Sequence, residues 1–201
     1  ESREIDILVG TQMVSKGLDF DNVSTVGILD ADSMLSFPDF RANERSFQMM
    51  TQVAGRAGRR KKQGLVIIQT DKKEHPIIQS VIKADYDEMY KAEIEERRTY
   101  HYPPYTKLIN IKLKHADFRY TKLAADFYAG ILKKAFGERV LGPEQALVGR
   151  IKNQYIFELM LKFNRKENIA KAKELILQSI DLVYSHIDHK NVKIIIDVDP
   201  Q

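Results

Sequence analysis

The sequence predicts an α/β portion built on short parallel strands, followed by an α+β portion in the order β-α-β-β-α-β. Three observations lead there. Short apolar runs flank one long helical stretch in the first third of the chain. A proline-rich junction, Tyr100-His101-Tyr102-Pro103-Pro104, interrupts the periodicity near the middle. Beyond it, period-two alternation and helical spacing take turns to the C-terminus.

In the first portion, Ile5-Asp6-Ile7-Leu8-Val9 is a largely apolar run ending at Gly10, as a buried parallel strand would be. Thr25-Val26-Gly27-Ile28-Leu29 is a second, ending at Asp30, and Leu65-Val66-Ile67-Ile68 a third, opened by Gly64. Between the last two, a helix is expected from about Ala42 to Ala57. Phe47, Met50, Val53, Ala54 and Ala57 recur at three and four, which is one helix face. Strand, helix and strand at this spacing form a crossover unit of a parallel sheet. Three strands are few for such a layer, so the sheet is expected to continue upstream in a longer protein.

A helix over 75–98 follows, with Pro76 in its first turn and Ile77, Ile78, Val81, Ile82, Met89 and Ile94 as its apolar face. The prolines at 103 and 104 end it. In the second portion, Ile109, Ile111 and Leu113 alternate with Asn110, Lys112 and Lys114, a half-buried strand. Leu123, Ala124, Phe127, Tyr128, Ile131, Leu132, Ala135 and Phe136 keep helical spacing up to Gly137. A looser strand covers about Leu147 to Ile151. After a polar turn at Asn153, Tyr155, Phe157, Leu159, Leu161 and Phe163 alternate. Asn164-Arg165-Lys166-Glu167 has the form of a capping box. A helix through Ile169, Ala172, Ile176, Ile180 and Val183 and a strand through Val192, Ile194, Ile196 and Val198 complete a ferredoxin-like split unit. The expected domains are 1–74, a connector at 75–104, and 105–201.

Composition narrows the function classes. Of 201 residues, 43% are hydrophobic and 30% charged, which is the balance of a soluble globular protein. No apolar run reaches the ~20 residues that span a bilayer, and the N-terminus has no signal-peptide core. There is no cysteine, so disulfides and thiolate zinc sites are excluded, and the five histidines do not fall at metal-ligand spacing. A cytoplasmic location is expected and no membrane partner. The net charge of +4 falls beyond residue 72, since residues 1–72 hold 10 basic and 10 acidic residues. That excess permits a polyanionic partner without requiring one.

The sharpest feature is Gln52-Val53-Ala54-Gly55-Arg56-Ala57-Gly58-Arg59 at the end of the long helix. Arg56 and Arg59 are three apart and would share a helix face. Each glycine costs helix propensity, about 1 kcal/mol, which fits a place where backbone or ligand must come close. Paired guanidiniums suit a triphosphate, binding its oxygens and stabilising a transferring phosphoryl group. On charge alone, the run through Arg60, Lys61 and Lys62 reads as a solvated basic helix end. Lys166, Lys171 and Lys173 crowd the start of the last helix, with Tyr155 and Phe157 on the preceding strand. Such groups suit a nucleic acid or an acidic peptide, although a solvated face and core aromatics are the plainer reading.

The full string resembles motif VI of superfamily-2 helicases. Val9-Gly10-Thr11-Gln12-Met13-Val14-Ser15-Lys16-Gly17-Leu18-Asp19-Phe20 resembles their motif V. The stretch from Asp30 to Arg45, the Tyr100–Tyr105 junction and the terminal Asp197-Val198-Asp199-Pro200 are similar to the primosomal protein N′ (PriA) family, across essentially the whole chain. The resemblance implies the end of the second RecA-like helicase lobe followed by a domain like ribosomal protein S10. It implies that Arg59 is the arginine finger, Arg56 its companion at the γ-phosphate, and Gln52, Gly17 and Asp19 further nucleotide contacts. Thr11 would contact the DNA backbone. The intact family is an ATP- and Mg²⁺-dependent 3′-to-5′ DNA helicase that also carries zinc. It restarts stalled forks by primosome assembly, with forked and single-stranded DNA, single-stranded DNA-binding protein and helicase-loader proteins as partners. The sequence has no Gly-x-x-x-x-Gly-Lys-Ser/Thr loop and no Asp-Glu-x-His box, so this chain alone is expected to be inactive as an ATPase. The rival expectation is an S10-like DNA- or protein-binding adaptor whose helicase remnant is only structural.

Overall fold

The computed structural model describes residues 6–11, 23–58, 64–186 and 192–200. It comprises two compact units, Glu1–Glu96 and Arg97–Gln201. An α/β unit is followed by an α+β domain.

In the first unit, β1 (Thr25–Ile28) and β2 (Leu65–Ile68) pair in parallel, with Thr25 opposite Leu65 and Ile28 opposite Ile68. The expected strand at Ile5–Val9 is corrected in its described part. Residues 6–11 form no strand, and Ile7 and Val9 are 82% and 81% exposed. A parallel strand is stable only when paired and covered on its faces, and among the described residues nothing pairs with this run.

Asp30 closes β1 in the left-handed conformation and caps α1 (Ala31–Leu35), a short helix that the apolar pattern did not announce. Asp32 in α1 accepts the Asp71 N–H at 2.7 Å and the Thr70 hydroxyl at 2.9 Å. These bonds join α1 to the segment leaving β2, and the backbone N–H of Asp71 holds the Asp32 carboxyl below the usual range. The crossover helix α2 (Ala42–Ala54) lays Phe47 and Met50 on Ile28, Ala31, Ile77, Ile78 and Met89. The expected helix over 75–98 is two helices, α3 (Pro76–Lys83) and α4 (Tyr86–Thr99). Ala84 ends α3 in the left-handed region, and the Asp85 carboxylate accepts the Glu88 N–H, which starts a new helix at once.

The second unit holds a four-stranded antiparallel sheet in the order β4-β5-β3-β6. Its strands are β3 (Thr106–His115), β4 (Val140–Ile151), β5 (Gln154–Asn164) and β6 (Lys193–Val198). Two helices, α5 (Phe118–Phe136) and α6 (Ala170–His186), complete the split β-α-β-β-α-β order. The alternation in β3 and β5 puts Ile109, Ile111, Leu113, Phe157, Leu159, Leu161 and Phe163 on one face. Against it α5 sets Ala124, Ala125, Tyr128, Ala129 and Leu132, while Leu123 is 54% exposed. The buried Tyr128 hydroxyl donates to the Ile176 carbonyl of α6 at 2.7 Å.

β4 is longer than its apolar pattern suggests. It is an edge strand with register shifts, so Leu141, Leu147, Val148 and Ile151 stay exposed and no alternation marks it. Lys152 and Asn153, both at positive φ, form the two-residue turn into β5. The expected capping box at Asn164 is also corrected. Asn164 ends β5 and its side chain accepts the Lys166 N–H, whereas Asn168 serves the start of α6 by accepting the Ala170 N–H.

On the opposite sheet face, Lys162 holds the proline-rich junction. Its Nζ donates to the Tyr100 carbonyl at 2.8 Å and lies 3.6 Å from the centre of the Tyr102 ring. Partial burial lowers the pKa of this amine.

Candidate functional site

The glycine-arginine string leaves α2 after Ala54, and Gly55 to Gly58 form a tight turn rather than a helix face. α2 ends at Ala54, and the N–H of Gly55 returns to the Thr51 carbonyl at 2.9 Å. Arg56 and Ala57 then donate to Val53 and Ala54 at 3.0 and 3.1 Å, which winds the chain more tightly than an α-helix. Gly58 follows at φ 78° and donates to the Val23 carbonyl, beside the start of β1, at 3.1 Å. From across the turn, Gly64 presses in so closely that a Cβ there would lie 2.4 Å from Ala57 C and Gly58 N.

The turn is therefore anchored to β1 at Gly58 and to the entry of β2 at Gly64. Gly58 needs its left-handed backbone and Gly64 its missing Cβ. At Gly55 a Cβ would meet the Thr51 carbonyl oxygen at 3.4 Å, ordinary contact, so neither reason applies there. Gln52 is exposed on the last turn of α2, and Arg56 is half-buried four residues on. A guanidinium carried on so constrained a turn starts from a fixed backbone position, which lowers the ordering cost when a ligand arrives.

Gly17, Asp19 and Arg59 lie outside the described residues. Thr11 is exposed, and no hydrogen bond among the described residues joins it to Gln52 or Arg56. In the second unit Lys166, Lys171 and Lys173 are all exposed, with Lys166 in the turn before α6. Lys171 and Lys173 sit two apart in the first turn of α6 and so point about 200° apart around it. Tyr155 lies at the far end of β5 from Lys166, about 30 Å away at ~3.3 Å per residue. Its basic neighbours are Arg119 and Arg150, which sequence spacing did not reveal. Phe157 is core, 5% exposed.

Among the described residues no group of three or more His, Asp or Glu side chains could hold a metal ion, and no helix is long and apolar enough to cross a membrane. With no cysteine in the chain, its residues do not fit a thiolate zinc site.

Residues 98–201 match the primosomal protein N C-terminal domain family, and residues 1–61 match the helicase conserved C-terminal domain. The chain belongs to the primosomal protein N family. The replication restart protein PriA of Bacillus subtilis is 40% identical over 197 residues, covering 97% of this chain and 24% of that protein. PriA of Synechocystis is 38% identical, over 98% of this chain and 23% of its own length. PriA of Haemophilus influenzae is 37% identical, over 97% of this chain and 26% of its own. The chain thus spans about a quarter of these relatives. The primosomal match begins at residue 98, beside the boundary between the two units at Glu96 and Arg97.

Proposed function

We propose that this chain supplies the arginine side of the ATP site in a 3′-to-5′ DNA helicase that restarts stalled replication forks. The observation that carries the proposal is the turn after α2, held at Gly58 and Gly64, which brings Arg56 out of the helix on a preset backbone. ATP is the substrate. Arg59 acts as the arginine finger, Arg56 binds the γ-phosphate, and Gln52, Gly17 and Asp19 line the cleft. Thr11 contacts a DNA phosphate through its hydroxyl. The phosphate cradle and the Mg²⁺ ligands come from the part of the protein outside this chain, as does any zinc site.

The test is steady-state ATP hydrolysis by the full-length protein. Arg59→Ala is expected to lower kcat by about 10³ or more. Arg59→Lys should recover little, because an ammonium cannot reproduce the planar fork. DNA affinity should change by no more than a few-fold. A near-normal kcat would move the finger assignment to Arg56.

Lys166, Lys171 and Lys173 form the proposed contact for the acidic tail of single-stranded DNA-binding protein, alongside the primosome and helicase-loader partners. Changing all three to Glu should abolish binding of a labelled tail peptide in a fluorescence-anisotropy titration. The native interaction should weaken with salt as the screening length shortens from about 10 Å at 0.1 M to about 3 Å at 1 M. Unchanged affinity in the triple variant would place that contact elsewhere.

A further inference from the structure

An open cleft at one end of the β3–β5 pair contains none of the helicase-motif residues and none of the three lysines. It is lined by Ala116, Asp117, Phe118, Arg119, Arg150 and Tyr155 and measures about 370 Å³, near the lower end of small-ligand sites at ~300–1,000 Å³.

Neither of its arginines is neutralised. Arg119 is exposed, and its guanidinium makes no hydrogen bond or ion pair among the described residues. Arg150 donates to the Asn153 side-chain oxygen, and its guanidinium lies 4.9 Å from the centre of the Tyr155 ring. The Arg150 guanidinium is thus held by one hydrogen bond and by its place over the Tyr155 ring instead of sweeping through solvent. Phe118 stands edge-on to Tyr155 at 5.5 Å and remains 39% exposed. Asp117, the single carboxylate in the lining, accepts the Tyr120 N–H at 3.1 Å as the cap of α5. Two guanidiniums against one engaged carboxylate leave the cleft positive.

A held cationic plane, an exposed ring beside it and a second free guanidinium match a ligand with one flat face and an adjacent anion. An unpaired nucleotide has that form, with a base that stacks on arginine or aromatic planes and a phosphate that takes paired hydrogen bonds. An acidic peptide would use the charges and leave the stacking plane idle. We propose that this cleft binds one unpaired nucleotide of a single-stranded nucleic acid, with the base over Arg150 and Phe118 and the phosphate on Arg119. The choice of polymer rests on the DNA partner proposed for the helicase.

The test uses the 201-residue chain and a fluorescently labelled oligothymidine in an anisotropy titration across a salt series. Arg119→Ala with Arg150→Ala should weaken binding about tenfold or more. It should also flatten the dependence of log Kd on log salt by about 0.7 for each phosphate that is no longer neutralised. Arg150→Lys keeps the charge and removes the plane. It should hold the salt slope near wild type while erasing most of the preference for oligothymidine over an abasic strand of equal length. Unchanged affinity in the double variant, or equal binding of abasic and thymidine strands by the wild type, overturns the proposal. Arg150-dependent binding of an oligoglutamate without binding of oligothymidine overturns it in favour of a peptide site. If Arg59→Ala abolishes ATP hydrolysis in the full-length protein while the cleft variants bind DNA normally, the cleft proposal alone falls.

Discussion

At the residue scale, His75 couples stability to pH. Its Nδ1 caps α3 by accepting the Ile77 N–H at 3.2 Å, a role open only to the neutral ring. Burial, with the nearby Lys72 charge adding to it, lowers its pKa from the ordinary 6.5. The unfolded chain therefore takes up the proton first as pH falls. The stability His75 contributes is complete above pH 6.5 and is lost below it. Thermal unfolding between about pH 8 and about pH 5 should show this fall, and His75→Ser, which keeps a cap acceptor without titrating, should flatten it. An unchanged pH profile in His75→Ser would remove His75 from the account. The histidine and the proline after it were legible as a helix start. The half-buried setting was not, because it depends on how α3 packs in the first unit.

At the scale of elements, the turn after α2 is the segment most sensitive to one methyl group. Gly58→Ala places a Cβ on a left-handed backbone whose N–H is already committed to Val23. The expected loss is about 1–3 kcal/mol, the usual range for such strain, read from the urea midpoint of the transition that includes β1 and β2. Gly55→Ala should be near neutral or stabilising, since Gly55 has ordinary helical φ and ordinary contact distances. Equal losses at both positions would count against the anchoring of Gly58. The sequence marked both glycines as costly to a helix, and only the structure distinguishes them. Spacing placed Arg56 and Arg59 on one helix face, yet the helix ends at Ala54, before Arg56, while Arg59 lies outside the described residues. The same limit applies to β4, whose edge position releases it from the alternation that made β3 and β5 readable.

For the whole molecule, two units with separate cores stand on one chain. Catalysis of phosphoryl transfer depends on positioning groups around all the phosphates at once, and a few well-placed arginines do not accomplish it alone. The 201-residue chain is accordingly expected to show no ATP hydrolysis, with or without DNA. A steady-state assay on the purified chain checks this. DNA-stimulated turnover that copurifies with the chain and disappears in Arg59→Ala would sink the expectation.

The sequence by itself determined the two fold classes, the β-α-β-β-α-β order and the family. Each of these rests on local periodicity or on a contiguous string such as Gln52 to Arg59. Tertiary structure alone decided which residues meet across the chain. It set Gly64 against the Ala57–Gly58 backbone, Lys162 on the Tyr102 ring, and Arg150 beside Tyr155 and Phe118. It also separated Tyr155 from Lys166 by the length of β5. The physical reason is that period and propensity act within a few residues. Contacts such as these depend instead on strand register and on how the sheet is ordered, which the pattern of any one segment does not contain.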